Sequence, residues 1–458
     1  MMVPKLERQI GIEVYATRSL GIGGTIRRSV DDFVVEEALV DGSKAEVGKP
    51  AKLGALGSSM VRNRYLLCVL VKRDWDTLSA VNAVADQLGI SMGRIQTGGL
   101  KDAKAVTAQH ITVENVSAED AAKVKIKDIE LHPIGYFREE LSSYYLLGNS
   151  FHITISEISH PKSTAEKRMT RTIEELRSAG GVPNFFGHQR FSTTRPITQL
   201  VGKAMIKGDV RKAAMLFLAK PSHHEHPQSR QAREELQASQ DFAHALKHFP
   251  KQLRYERLML EHLAKEPSDY TGAFRCLPLK LQQLFIQAYQ SHLFNKFLSR
   301  RIAAGLRLYA AEVGDNVVGV ERSGMPLVSM VKSIRAENIA EVNKALDDEK
   351  MRLALPLFGY RQRLSLGMQG QIEKQILEEE GVTAEDFRVR MLPQLALKGS
   401  LRAVIVPLND LSVDRVSHDS MNLSKWTVGV SFALYRGSYA TIVLRELMKP
   451  RSLIRAGF

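Results

Sequence analysis

Apolar positions recur along this chain with two different periods, and the balance between them divides it into three stretches. Over residues 1–192 the periods of strand and helix alternate. Tyr65-Leu66-Leu67-Cys68-Val69-Leu70-Val71 is an unbroken apolar run flanked by charges, the pattern of a strand covered on both faces. Thr77 to Leu88 follows, with Leu78, Val81, Val84, Ala85 and Leu88 on one helical stripe and Gly89 as its stop. Phe33-Val34-Val35 and His110-Ile111-Thr112-Val113 read as strands. Phe151, Ile153 and Ile155 alternate with His152, Thr154 and Ser156, the period of a half-covered strand. Ser163-Thr164-Ala165-Glu166 has the form of a capping box, opening a helix that Gly180-Gly181 closes.

Between 193 and 397 helical spacing dominates. Leu281, Leu284, Phe285, Ala288, Leu293, Phe294, Phe297 and Leu298 predict one long, well-buried helix ending near Gly305, and Ile372 to Glu380 predicts another, ended by Gly381. Strand patterns return over 398–458. Ala403-Val404-Ile405-Val406 is apolar and β-branched, Val428, Val430, Phe432 and Leu434 alternate, and Gly437-Ser438 caps a helix from Tyr439 to Met448. The simplest topology is a mixed α/β domain built from both ends of the chain, 1–192 and 398–458. A large α/β domain over 193–397 is inserted between its strands.

Composition narrows the classes of function. At 458 residues the chain exceeds one ordinary core, and 44% hydrophobic with 25% charged residues is the make-up of a soluble globular protein. Sixty-four Lys and Arg against 50 Asp and Glu leave a formal charge of +14, which points toward a polyanionic partner. Cys68 and Cys276 are too far apart in sequence for metal or disulfide spacing, so a reducing, cytoplasmic setting is expected. No apolar run reaches the roughly 18 residues of a membrane span, and no membrane partner is expected.

Four segments carry candidate chemistry. Gly98-Gly99-Leu100-Lys101-Asp102-Ala103-Lys104 places one carboxylate between two lysines after a glycine pair. Taken alone, it fits either a turn of solvated charges or an acid kept ionised by its cations and poised as nucleophile or base. Val182-Pro183-Asn184-Phe185-Phe186-Gly187-His188-Gln189-Arg190-Phe191 interleaves aromatic rings with Asn, His, Gln and Arg. Such a stretch suits stacking on bases with polar groups for base edges and phosphates, or equally an aromatic plug in the core. His223, His224 and His226, with Glu225 among them, lie in a Ser/Pro-bounded loop that fixes no metal geometry. Gly21-Ile22-Gly23-Gly24 resembles a phosphate-binding turn but lacks the strand before it and the helix after it. With no phosphate-loop signature and no H-E-x-x-H, neither a nucleotide cofactor nor a metal is expected.

Five segments in order resemble the TruD family of tRNA pseudouridine synthases. They are Ile26-Arg27 through Asp32-Phe33-Val34-Val35-Glu36; Gly99-Leu100-Lys101-Asp102 with Ala105-Val106-Thr107 and Gln109; Gly148-Asn149-Ser150-Phe151; Asn184-Phe185-Phe186-Gly187-His188-Gln189-Arg190-Phe191; and Gly437-Ser438-Tyr439-Ala440-Thr441 with Arg445-Glu446. The inserted region matches more loosely, at Ser291-His292-Leu293-Phe294-Asn295. The resemblance implies an α+β catalytic domain, with a mixed, largely antiparallel sheet and helices, split by the large inserted domain. It implies an RNA-modifying isomerase that turns uridine into pseudouridine, at position 13 of tRNA in the family's usual substrate, with tRNA as partner and no cofactor. It implies Asp102 as the essential aspartate, Asn184 as its support and Phe186 as the ring that stacks on the target base. Lys101 is a supporting residue, and Gln109, Gln189 and Arg190 contact RNA. Where the family usually has a lysine pairing with the aspartate this chain has Arg27, which keeps the charge but not the geometry. The alternatives are a pseudouridine synthase acting at other RNA sites, a non-catalytic RNA-binding protein on the same scaffold, or a metal-dependent hydrolase using His223, His224 and His226.

Overall fold

The fold is taken from a computed structural model that describes residues 2–49 and 52–458. Its strands are β1 (Phe33–Leu39), β2 (Tyr65–Arg73), β3 (Ile95–Thr97), β4 (Val106–Glu114), β5 (Ile129–Phe137), β6 (Leu146–Ile158), β7 (Val182–Pro183), β8 (Asn316–Val320), β9 (Pro326–Ser333), β10 (Met351–Leu357), β11 (Ser400–Ala403), β12 (Ile405–Val406), β13 (Asn409–Val413), β14 (Ser417–Asp419) and β15 (Asn422–Tyr435). The main sheet has nine strands and runs β13-β15-β6-β1-β4-β2-β5, with β14 beside β15 and β3 beside β4. Only β1 and β4 run parallel. The mixed, largely antiparallel α+β architecture follows the alternation in the sequence. The apolar run in β2 is buried over Leu66 to Val71, because β4 and β5 flank it and side chains pack on both faces.

The two ends of the chain share this sheet. β15 pairs with β6 across the whole of Gly148 to Ile158, so a strand from the last forty residues completes the first half. A second sheet, β11-β10-β8-β9, takes three strands from the intervening region and β11 from just beyond it, beside the predicted long helix, Leu279–Ala303. The apolar run Ala403 to Val406 is divided between two sheets. β11 joins the inserted sheet, whereas β12 pairs with β7, so the chain re-enters the main sheet at Asn409.

Local details depart from the sequence reading in three places. Leu78 is 54% exposed, since Thr77, Ala80, Val81, Val84 and Ala85 take the inward face and Leu78 is turned about 100° from Thr77. The helix Lys162–Ser178 starts one residue before Ser163, entered from Pro161, so Ser163 lies inside the first turn and caps nothing. The last helix, Ala440–Met448, is likewise entered from Tyr439 with no side-chain cap from Ser438. No helix among the described residues is long and apolar enough to cross a membrane.

Candidate active site

Asp102 lies on the loop that joins β3 to β4, and that loop is fixed by charges buried beneath it. Lys101 turns inward, with its side chain only 4% exposed, and its Nζ meets Glu37 Oε2 at 2.5 Å. Glu37, in β1, also accepts from the backbone N–H of His110 at 3.0 Å, and its Oε1 lies 3.2 Å from His110 Nδ1. Burial pushes the Glu37 carboxyl upward, but Lys101 and His110 outweigh it and hold it below the usual range. Lys72, in β2, is also buried. Its Nζ donates to the carbonyls of Trp75 at 2.6 Å and Asp102 at 2.8 Å. Burial lowers this amine to about 8, against the opposing pull of Asp102 and Asp76.

Gln109 is fully buried in β4 and donates through Nε2 to the carbonyl of Gly99 at 3.1 Å. Thr77 donates to its Oε1 at 3.2 Å and accepts from the Lys101 N–H at 2.9 Å. Lys101 and Gln109 are therefore loop anchors in this structure, and Gln109 has no surface on which to meet RNA. Neither Gly98 nor Gly99 adopts a positive φ, and a Cβ at either would make only ordinary contact with Leu146. The glycine pair is thus not what shapes the loop.

The Asp102 carboxylate is held by one oxygen. Arg27 Nη2 donates to Oδ1 at 3.2 Å and Gln189 Nε2 donates to the same atom at 2.7 Å. Among the described residues none donates to Oδ2. The side chain is 30% exposed and opens into a cavity of about 350 Å³ shared with Arg27, Lys104, Ile454, Gly457 and Phe458. Arg27 adopts φ +60°, a sparsely populated region for a residue with a side chain, which marks a position constrained by its surroundings. Its guanidinium lies 4.0 Å from the centre of the Phe33 ring and donates to the carbonyl of Gly457 at 3.3 Å. Burial lowers the Arg27 guanidinium from its ordinary value, and Asp102 opposes the shift. At Gly457, with φ +83°, a Cβ would run into the Ile26 carbonyl, so only glycine lets the chain close so tightly over Arg27.

The aromatic segment reaches this carboxylate with Gln189 alone. Asn184 donates to the carbonyl of Ala403 at 2.9 Å and accepts from Arg402 Nη2 at 2.5 Å, and it makes no hydrogen bond to Asp102. Phe186 is 9% exposed. Phe294 and Tyr439 meet its ring edge-on, and the Arg402 guanidinium lies 4.0 Å from its centre. Arg190 donates to Ser291 at 3.3 Å and to Gln287 at 3.0 Å. His188 approaches Glu7 at 3.3 Å and has Phe458 edge-on to its ring. Glu7 is gripped in turn by both Nε and Nη2 of Arg445, at 2.8 and 2.9 Å. Arg445 and Glu446, two residues of the last sequence motif, therefore tie the beginning of the chain to its final helix.

The remaining candidates fall outside this site. No group of three or more His, Cys, Asp or Glu among the described residues is arranged to hold a metal, and His223 and His224 lie in a separate groove with Arg195 and Lys220. In the glycine turn, the N–H groups of Ile22 and Gly23 are spent on the carbonyls of Leu447 and Met448. Its role is close packing against the end of the last helix. Glu37, Lys72 and Arg402 were not legible as site residues. The first two sit inside strand patterns, and the third follows the apolar Leu401 with no motif around it.

Comparison with known proteins agrees with this layout. The family model described as tRNA pseudouridine synthase D (TruD) matches residues 9–447. Curated relatives named "Probable tRNA pseudouridine synthase D" include one from Methanosarcina mazei, 37% identical over 99% of both chains, and one from Methanosarcina acetivorans, 38% identical over 98% of both. One from Thermococcus onnurineus is 37% identical over 95% of this chain and 97% of its own. The crystal structure of a Methanosarcina mazei protein assigned to the same family superposes with a TM-score of 0.83 at 36% identity, covering 98% of this chain and 99% of the other. With the family model matched over nearly its whole length and relatives this similar from end to end, this chain belongs to the tRNA pseudouridine synthase D (TruD) family.

Proposed function

We propose that this chain isomerises uridine to pseudouridine in tRNA, at position 13, with Asp102 as its single essential carboxylate. The observation that carries the reading is the state of that carboxylate: one oxygen pinned by Arg27 and Gln189, the other free and facing an open cavity. The reaction breaks the N1–C1′ bond, rotates the uracil and joins C5 to C1′; the C5 proton is lost and N1 gains one. No electron changes hands and no group is donated, so an ionised acid supplies what the chemistry requires, as nucleophile at C1′ or the base, or by removing a proton. Arg27 sets its cation against that acid, and the contact strengthens as water is excluded.

The target base must leave its stack, at a cost of a few kcal/mol. Phe186 is the aromatic available to offset it, by about 1–3 kcal/mol for one stacked base. At 9% exposure it serves in that way only if Phe186 or its cover shifts when RNA binds. The remaining charge of +14 holds the phosphates, so affinity falls steeply with salt.

Release of tritium from tRNA labelled at C5 of uridine tests the reading. Asp102→Asn is expected to bind tRNA and release nothing. Normal release from that variant would remove Asp102 from the chemistry.

A further inference from the structure

The deeply buried arginines of this protein are paired with acids. Arg445 is paired with Glu7 and Glu446, Arg301 with Asp315, and Arg233 with Glu225 and Glu256. Those pairings follow the rule that a charge removed from water needs an opposite one. Arg402 and Arg190 lack such a partner, as do the half-buried Arg94, Arg168 and Arg257, but these two lie beside one aromatic ring. Both are half-buried, and among the described residues neither has a carboxylate within ion-pair distance. Their partners are neutral: the Asn184 carbonyl and side chain and the Gly437 carbonyl for Arg402, Ser291 and Gln287 for Arg190.

The two also lie near the same ring. Their guanidinium carbons lie 4.0 and 5.9 Å from the centre of the Phe186 ring, which puts them no more than about 10 Å apart. Burial lowers both guanidiniums, Arg402 to about 10, and the charge of Arg190 adds to the fall at Arg402. Two cations brought together without an anion leave a site short of one negative charge. In each, Nη1 donates to nothing among the described residues. Arg402 also lines a cavity of about 210 Å³ with Arg352 and Arg436, and the buried Nε of Arg352 has no partner. Glu321 is the one carboxylate on that wall.

We infer that Arg402 and Arg190 bind a backbone phosphate of the RNA next to the target nucleotide, a site resting on the pseudouridine synthase reading above. A phosphate bridging the two guanidiniums completes their unused donors with charge-assisted hydrogen bonds, the geometry for which arginine is suited. The segment that carries Arg190 also carries Gln189 to Asp102, so this anion site and the reacting carboxylate are held by one short stretch of chain.

The test uses the full chain. The target uridine is first located by mapping pseudouridine in tRNA treated with the unaltered protein; absence of any product would overturn the reading beneath this proposal together with it. Synthetic tRNAs carrying a single uncharged methylphosphonate linkage on either side of that uridine are then bound to Asp102→Asn protein. One linkage is expected to weaken binding about tenfold or more. Adding Arg402→Met or Arg190→Met is expected to weaken unmodified tRNA and to reduce the penalty of that same linkage to less than about twofold, with a salt slope smaller by about one. Arg402→Lys, which keeps the charge, should retain most of the penalty. If Arg402→Met proves unfolded by its melting curve, Arg190→Met decides the question, because its partners are helix side chains on the flank of the site. A penalty undiminished in the folded variants would overturn the proposal.

Discussion

The Asp102 loop and the Asn184–Phe191 segment meet at one carboxylate, and they are built by different means. The loop rests on charge: Lys101 on Glu37, Lys72 on two carbonyls, all out of water. The segment rests on packed rings and neutral hydrogen bonds, with Phe186 among Phe294 and Tyr439 and the Phe186 N–H donating to Asn295 at 2.8 Å. The difference separates two uses of polar residues. Lys101 and, beneath the loop, Glu37 and Lys72 position its backbone, and Asp102 and Lys104 are presented to the cavity, while the segment keeps its polar ends, Gln189 and Arg190, at the surface of the site.

The contrast breaks first at Glu37. Glu37→Ala leaves Lys101 and the His110 N–H buried without a partner, and is expected to cost about 3–5 kcal/mol of stability, read by denaturant unfolding. A loss below about 1 kcal/mol would mean the loop is not held by charge.

Acid probes a second buried ionic anchor, beneath the His188 end of the segment. Arg445 and His188 draw the Glu7 carboxyl down to about 2 despite burial, from 4.5. A depressed acid adds stability above its unfolded value and loses it as pH falls through the folded one. About 3 kcal/mol is therefore expected to disappear between pH 4.5 and 2, and Glu7→Gln should flatten that limb of the stability curve.

Smaller effects sharpen the comparison at Asp102. Arg27→Met is expected to lower turnover strongly, since the carboxylate loses one of the two donors that hold its oxygen. Arg27→Lys should recover much of the rate. Gln189→Ala removes a neutral donor from an exposed position, so about a tenfold fall in turnover with unchanged melting is expected. If Gln189→Ala melts early, the residue is structural and the proposed division between anchor and site fails.

Much of this was legible in the sequence. The strand runs of β2 and β15 and the long helix follow from periodicity, because a buried face imposes its period on the side chains that cover it. The resemblance set Arg27 and Asn184 beside Asp102 and gave Gln189 to RNA; in the structure Arg27 and Gln189 share one carboxylate oxygen of Asp102, and Asn184 does not reach it. Lys101 and Gln109 stand in the same motif for another reason. They hold the loop, and nothing in a row of letters distinguishes a lysine beside a carboxylate from one folded beneath it. Glu37 and Lys72 gave no signal, since each interrupts a strand pattern in the manner of a solvent-facing residue.

By itself, then, the sequence determined the elements, the order of the motifs and the family to which they point, because these depend on local spacing and residue type. Only the tertiary structure decided which charges are paired and which are left over. Arg445 and Arg402 both lie in the last sixty residues, yet one meets Glu7 from the other end of the chain and the other meets no acid among the described residues. Pairing is set by contacts between residues hundreds of positions apart and by the water those contacts exclude, and neither quantity is written in local spacing.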